Sequence, residues 1–453
     1  MSIFSCPARR LHLGAGQLLS TLMLVALAAG APLPAPAQDA VMEVAAPTVT
    51  PAAPWTWSGP VPVARLVAAA RAAHPTVLAV AAARAAAEAR VRQASAWANP
   101  ELELALGQTR PRVDGLDPEQ PYGGSLKQRL EWWGVRSARV EAAQAQLSAA
   151  EAAGRVALLE LEAEVRLAAI AYAAAAVAAA QDATQADLMA ELATVAASRL
   201  AAGDLDRASA ARIRLEAATS ALHRDARRRE ADTALAVLRT WCDQDLPAGL
   251  VVADAWTDQP LDLDPQRLRE AASRHPRLLA LAEVVTAAES QVASARSSRL
   301  PDLTVGVYAG REYEKDTYGL TLGIDVPLWN WNRGGIAEAE AERAQARAMA
   351  RSERQRLQRD LLEALGAVTT AQAEARALAE QAAPVAAEVL ALRMAAFRAG
   401  EAGLADLLEA RRASLAVASE LGAARRRAAE ALIRLGQAVG EPSLGMTQVG
   451  GLP

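Results

Sequence analysis

Apolar and polar residues follow two patterns along this chain, one typical of strands and one typical of helices, and both patterns occur in each half. Four short segments alternate apolar and polar residues, which predicts half-buried strands. Long alanine-rich segments follow them, and 135–200 and 336–398 together contain one proline, Pro384. These segments are predicted to form long helices, which suit close antiparallel packing along their whole length. The pattern predicts a mainly α chain of long helical hairpins with a small β part. The predicted strands cover about 101–108, 124–132, 302–311 and 318–327.

The order of elements repeats, which indicates an internal duplication. Three landmarks recur at a nearly constant offset: the first two at 201 residues (275 − 74 and 300 − 99) and the third at 197 (400 − 203). We therefore predict two copies of one unit, 63–262 and 263–441, followed by a tail at 442–453. The change of offset predicts loops of different length between the second and third landmarks. The landmarks are His74-Pro75 with His275-Pro276, Asn99-Pro100 with Leu300-Pro301, and Gly203 with Gly400.

The N-terminal 1–37 is typical of a secretory signal peptide, with a basic start, an apolar run at 18–31 and an A-x-A site. The run is shorter than the roughly 20 residues that a spanning helix needs, which favours cleavage over a membrane anchor. Residues 38–62 form a proline-rich lead-in, and its Trp55 and Trp57 could dock it elsewhere on the chain.

Two features favour strands that cross an outer membrane over a soluble hairpin packed on a core. The leader exports the chain, and tryptophans occur where strands return to helices, as in an interfacial aromatic girdle. The most apolar helical stretch, 167–180, is bracketed by charges and is interpreted as a packed helix. The girdle residues are Trp132, Trp133, Trp329 and Trp331. The polar strand face, predicted to line a barrel lumen, includes Lys127, Arg129, Glu131 and Asp325.

Four strands cannot close a barrel by themselves. An open sheet in lipid would leave unpaired backbone groups, each costing several kcal/mol, about the price of a lost hydrogen bond in hydrocarbon. Because small closed barrels have about 8 strands or more, at least two chains must contribute strands.

The residue inventory argues against an enzyme, a metal site or a nucleic-acid partner. Acidic and basic residues are interleaved at a net charge of −4, without the basic face that nucleic acid requires. No His, Cys and carboxylate cluster has metal-ligand spacing, and no cofactor motif is present. His74 and His275 each precede proline and are interpreted as turn or capping residues. Cys242 is the single cysteine outside the leader, so it has no internal disulfide partner.

An acidic pair follows the turn that connects the long helices of the second copy. Asp406 and Glu409 lie three residues apart and therefore share a helix face. In a symmetric oligomer they would form two stacked carboxylate rings that attract cations and can hold a gate. The alternative is a solvated helix start, where acids favour the helix dipole.

Together these residues resemble the TolC family of outer-membrane efflux ducts, from about 63 to 440. The resemblance rests on the duplicated NP/LP-then-strand junctions, on VPLWNWNRGGIAEAEAERAQA (326–346), which is most like the CzcC-like heavy-metal branch, and on LADLLEA (404–410) with the long helix ending in LGQAVG. It implies a homotrimer with a 12-stranded barrel and a helical periplasmic tunnel, working with a periplasmic adaptor and an inner-membrane pump. Asp406 and Glu409 match the acidic pair of the family's constricted tip, where members carry two aspartates.

The resemblance implies a passive exit duct across periplasm and outer membrane, with heavy-metal cations as the expected cargo. A duct for drugs or other organic compounds, or for type I secretion, remains an alternative. A soluble periplasmic coiled-coil scaffold or adaptor is the alternative from a different class. No cofactor is expected, because a wide tunnel needs no dedicated site.

Overall fold

The computed structural model describes residue 57 and residues 59–108, 120–131, 134–256, 263–312, 315–399 and 401–442. The protein is mainly helical with one small antiparallel sheet, as the sequence predicts. Its elements are α1 (Val63–Ala73), α2 (Pro75–Ser95), β1 (Glu101–Leu106), β2 (Tyr122–Leu130), α3 (Val135–Ala202), α4 (Arg207–Cys242), α5 (Pro265–Ser273), α6 (Pro276–Ser297), β3 (Leu303–Glu312), β4 (Lys315–Ile324), α7 (Arg333–Ala377), a π-helical turn (Leu378–Ala382), α8 (Ala383–Ala399) and α9 (Leu404–Val439).

Several sequence predictions fall outside the described residues. They are the leader 1–37, the lead-in up to 56 with Trp55, the girdle residues Trp132 and Trp133, the landmark Gly400 and the tail from 443 onward.

The helices recur at two offsets. Helix α6 begins 201 residues after α2 (276 − 75), whereas α9 begins 197 residues after α4 (404 − 207). Helices α4 and α9 each contain 36 residues, and both end at a left-handed C-cap, at Asp243 and at Gly440. The offset therefore changes between α2 and α4, where the strand hairpins and their connections differ in length.

Pro384 does not end the second long helix. The chain instead forms a π-helical turn, in which the N–H of Ala383 bonds to the carbonyl of Leu378. A proline inside a helix lacks an N–H and crowds the preceding turn, and the wider π turn relieves that crowding. The corresponding stretch of α3 has no proline and runs as one helix of 68 residues.

The described residues form two compact units, a strand unit and a helical unit. The strand unit takes the described parts of 89–144 and 288–342, and the helical unit takes the remainder. The sheet of the strand unit has the order β1-β2-β3-β4, with each strand antiparallel to the next.

Register in the sheet brings like residues together. Glu103 pairs with Ser125, Ser125 with Tyr308 and Tyr308 with Gly319, which places all four on one polar face. The opposite face is mainly apolar, because most of its neighbouring residues in the four strands are apolar, and Gln128, opposite Val305, is a polar exception. Its members include Leu102, Leu104, Leu126, Leu130, Leu303, Val305, Val307, Leu320, Leu322 and Ile324.

The two His-Pro junctions begin helices in the same way. The Nδ1 of His74 accepts from the N–H of Thr76 at 3.2 Å, and that of His275 accepts from the N–H of Arg277 at 3.0 Å. The prediction of capping residues is thereby confirmed. Each ring also contacts a residue near the end of a later helix. His74 stacks on Trp241 of α4, with ring centroids 5.7 Å apart, and His275 bonds to Gln437 of α9.

By length and composition, two helical segments would suffice to cross a membrane, Val135–Ala202 and Pro265–Ser297, or three if the bent pair α1–α2 counts as one. In α3, however, the apolar stretch contributes buried Ile170 and Tyr172 to the interior of the helical unit.

Candidate functional site: the acidic turn and the two-faced sheet

The acidic pair lies in the first turns of α9. Asp406 and Glu409 are both exposed, and the two residues between them, Leu407 and Leu408, are buried. Leu408 packs with Met189 of α3 in a small apolar cluster. Among the described residues, neither carboxylate has an ion pair or a hydrogen-bond donor, so both charges face solvent on the free side of the helix.

The equivalent turn of the first copy uses its acid differently. Asp206 is the N-cap of α4, and its Oδ1 accepts from the N–H of Ser209 at 2.9 Å. Hydrogen bonds from the hydroxyl and the backbone N–H of Ser209 lower the pKa of Asp206. By the 197-residue offset, Asp206 corresponds to the N-cap Gly403 and not to Asp406. The free acidic pair is therefore specific to the second copy.

Two arginines that follow the acidic pair in the sequence bind α9 to α3 and α4. Arg411 is only 4% exposed, and its Nη2 donates to the carbonyl of Gln185 at 3.2 Å. Burial lowers the pKa of Arg411. Arg412 forms an ion pair with Glu216 of α4. These contacts fix the face on which Asp406 and Glu409 stand.

The polar sheet face carries the predicted lumen residues Lys127 and Arg129. Lys127 Nζ lies 2.5 Å from Oε2 of Glu103 on β1. The Nε of Arg129 donates to Oδ2 of Asp302 at 2.7 Å. The sequence interpretation did not single out Glu103 or Asp302, although the alternation of β1 places Glu103 opposite its leucines.

Two predicted lumen residues lie beyond the strands, because β2 and β4 end earlier than expected. Glu131 follows the end of β2, and its Oε2 accepts from Nη2 of Arg139 in α3 at 2.8 Å. Asp325 follows the end of β4 and is exposed, and its N–H donates to the carbonyl of Asp302 at 3.3 Å. Neither residue is part of the strand register.

The apolar sheet face is open to solvent. Leu320 and Leu322 of β4 are 81% and 72% exposed, and Leu104 of β1 is 67% exposed. A contiguous exposed apolar face of this size marks a surface that meets lipid or protein. Among the described residues, the outer edges of β1 and β4 pair with no further strand.

Aromatic residues lie at both ends of that face. Trp329 and Trp331 are exposed in the segment between β4 and α7. Tyr122 and Tyr318 lie at the opposite end of the apolar face, and the sequence interpretation missed them. Trp97, under the guanidinium of Arg136 at 4.9 Å, was missed as well, because it lies in the connection before β1.

No group of three or more His, Cys, Asp or Glu side chains is arranged to hold a metal ion in the part of the chain that the structure describes. Cys242 is fully buried, and burial raises the pKa of its thiol to about 12. A thiol in that state is a packing residue, not a ligand.

Comparisons with known proteins agree with this architecture. Residues 268–441 match the family described as outer membrane efflux protein. The cobalt-zinc-cadmium resistance protein CzcC of Cupriavidus metallidurans is 25% identical over 332 residues, covering 71% of this chain and 76% of that protein. These matches confirm the resemblance to TolC-family ducts and to CzcC.

Solved structures share the fold. A membrane protein from Pseudomonas aeruginosa superposes with a TM-score of 0.70 at 21% identity, covering 86% of this chain and 96% of that one. CusC superposes with a TM-score of 0.71 at 17% identity, over 86% and 94% of the two chains.

Proposed function

We propose that the chain is the outer-membrane channel of a tripartite efflux system, and the match of residues 268–441 to the family described as outer membrane efflux protein supports this proposal. Several copies close one barrel in the outer membrane, and their helices form a passive duct through the periplasm. A periplasmic adaptor and an inner-membrane pump deliver the cargo. The number of copies is three, so that four strands from each give a barrel of 12.

The observation that carries this proposal is the two-faced sheet with two open edges. One face is apolar and exposed and the other is polar, as lipid-facing and lumen-facing sides of a barrel strand must be. Strands β1 and β4 run antiparallel, so β4 of one copy can pair with β1 of the next and continue the same pattern. Closure removes the edges, which lipid does not tolerate. A soluble scaffold would have to cover this face instead.

Asp406 and Glu409 serve as the periplasmic gate of the duct. Their free carboxylates repeat around the symmetry axis, where the rings repel anions and attract cations. The buried leucines between them and the two arginines behind them hold the acidic side of α9 in place.

Heavy-metal cations are the proposed cargo. The similarity to CzcC, named as a cobalt-zinc-cadmium resistance protein, supports metals over organic compounds. The acidic rings would favour divalent cations over anions. The described residues contain no group arranged to chelate a metal ion, and we assign the choice of metal to the pump and the adaptor.

A deletion strain tests the function. The gene is removed from its host, and intracellular zinc, cobalt and cadmium are measured beside a fluorescent drug substrate. The expected result is accumulation of the metals with unchanged drug accumulation, and restoration by the wild-type gene. Drug accumulation alone would move the cargo to organic compounds, and a protein found only in soluble periplasm would contradict the channel.

A further inference from the structure

Glycines are concentrated on the polar face of the sheet. Among the described strand residues, the polar face has five glycines and the apolar face has one, Gly124. A glycine inside a strand weakens it, because it has no side chain to pack and loses more conformational freedom on folding than other residues. The concentration therefore indicates a requirement of the polar face, namely that side chains stay out of the space in front of it. The five glycines are Gly123, Gly306, Gly310, Gly319 and Gly323.

Tyr308 is the one aromatic residue on that face within the described strands, and its ring does not stand straight out from the sheet. A Cβ built on Gly319, its partner on β4, would lie 2.6 Å from the Oη of Tyr308 and 2.7 Å from its Cε1 and Cζ. Side chains on strands ordinarily stand roughly perpendicular to the sheet, whereas this ring leans over the neighbouring strand. The ring thus covers the backbone of Gly319, and Tyr308 remains 41% exposed.

The contact at Gly319 differs in kind from the contacts at other glycines of the polar face. A Cβ on Gly310 would meet backbone, with the carbonyl oxygen of Tyr122 at 3.0 Å. A Cβ on Gly323 would have its nearest atom at 3.7 Å, which is ordinary van der Waals contact. At Gly319 the three nearest atoms all belong to the end of the Tyr308 side chain, which can rotate to another rotamer. Alanine at position 319 would therefore displace the ring from the sheet and leave the strand pairing intact.

The ring lies between the two ends of the sheet. Tyr308 and Gly319 are near the middle of β3 and β4. Helices α2 and α3 join the sheet at the end where Arg129 pairs with Thr304, and the connections β1–β2 and β3–β4 lie at the opposite end. In the proposed channel the helices extend into the periplasm, so these connections face the outside. A solute that leaves through the barrel passes Arg129 first and the ring of Tyr308 next.

We propose that Tyr308 and Gly319 set the width of the barrel lumen and thereby limit the size of the solutes that pass it. This inference rests on the proposed function, in which the polar face lines the lumen. With each ring laid over a glycine, the three rings of a trimer stay close to the wall and leave the passage open. The pair acts on the bulk of the cargo, as residues that face a barrel lumen can, whereas the acidic pair Asp406 and Glu409 acts on its charge.

Thiol labelling from outside the cell measures this width. Arg129→Cys supplies the reporter, because the side chain of Arg129 is 58% exposed on the polar face and lies deeper than Tyr308. Maleimides linked to polymers of increasing length are added to intact cells, and each labelling rate is divided by that of the unlinked maleimide. Gly319→Ala should lower this ratio for the longer polymers, because the displaced ring narrows the lumen. Tyr308→Ser in the same chain should restore the ratio. The buried thiol of Cys242 does not react.

Gly323→Ala is the matched control. It adds the same methyl group to the same face of β4 but displaces no ring, so its ratio should equal that of the unmodified reporter chain. A Gly319→Ala chain that keeps this ratio, or that forms no heat-labile oligomer, overturns the proposal and leaves the channel standing, as does a Tyr308→Ser change that fails to restore the ratio. A reporter chain recovered only from the soluble periplasm overturns the proposed function as well.

Discussion

The imidazole Nε2 of His275 lies 2.7 Å from the carbonyl oxygen of Gln437 and joins the start of α6 to the end of α9. The Nδ1 accepts from the N–H of Arg277, so the neutral ring carries its proton on Nε2. The ring is 1% exposed, and burial lowers the pKa of His275 below its usual value.

A buried neutral histidine makes stability depend on pH. Because the folded pKa lies below the unfolded value of about 6.5, the unfolded state binds more protons as the pH falls. Stability is fully present above about pH 6.5 and declines below it. Tryptophan fluorescence during denaturant unfolding at pH 7.5 and 5.5 measures the loss. His275→Gln, which retains a donor toward Gln437, should lose this pH dependence, and an unchanged dependence would assign it to another group.

Alanine substitutions at two helical glycines should change the stability of the protein in opposite directions. A Cβ on Gly154 would lie 2.7 Å from Cγ1 of Val80, whereas a Cβ on Gly366 would meet no atom within 4 Å. Gly366→Ala should stabilise the protein by roughly 0.5–1 kcal/mol through helix propensity. Gly154→Ala should destabilise it, because Val80 must move in a close helix contact. Thermal unfolding of the two variants checks the sign, and a stabilising Gly154→Ala would contradict the packing of α2 on α3.

The acidic gate is tested in planar bilayers. Asp406→Ala combined with Glu409→Ala should raise single-channel conductance and lower cation preference, because the carboxylate rings are removed. Asp206→Ala is the matched control: it loses a helix cap, at a cost of about 1 kcal/mol, but should leave conductance unchanged. Equal conductance in the double variant and the wild type would remove the pair from the gate.

Because neighbouring residues of β4 lie on opposite faces of the sheet, the same substitution at two of them should have opposite effects. Leu322→Arg places a charge on the apolar face, which costs roughly 2–4 kcal/mol near the middle of a bilayer. Thr321→Arg places the same charge on the polar face and should be tolerated, with a change in ion selectivity. Heat-labile oligomer in outer-membrane fractions reports insertion, and the opposite order of tolerance would reverse the two faces.

Much of the fold follows from patterns that are local in sequence. Alternation predicts all four strands within a few residues, and the interpretation of His74 and His275 as turn or capping residues agrees with the observed starts of α2 and α6. The end of β2 was misplaced because Glu131 continues the alternation but bonds to Arg139, a contact that depends on how α3 returns to the sheet. The partner of Arg411 could not be predicted either, because its acceptor is a backbone carbonyl 226 residues away.

Pro384 shows a different limit. A proline within a helical pattern predicts a break, but α7 and α8 continue through a π-helical turn before Pro384. The spacing of Asp406 and Glu409 in the sequence predicts the acidic pair. That Asp206 is a helix cap and not an equivalent of this pair follows only from the observed N-caps of α4 and α9.

The mass of the assembly extracted from outer membrane tests the central claim most directly. Native mass spectrometry of the detergent-extracted protein should give a single species containing three chains, since four strands from each chain close one barrel. A monomer, or a protein recovered only from the soluble periplasmic fraction, would contradict the account.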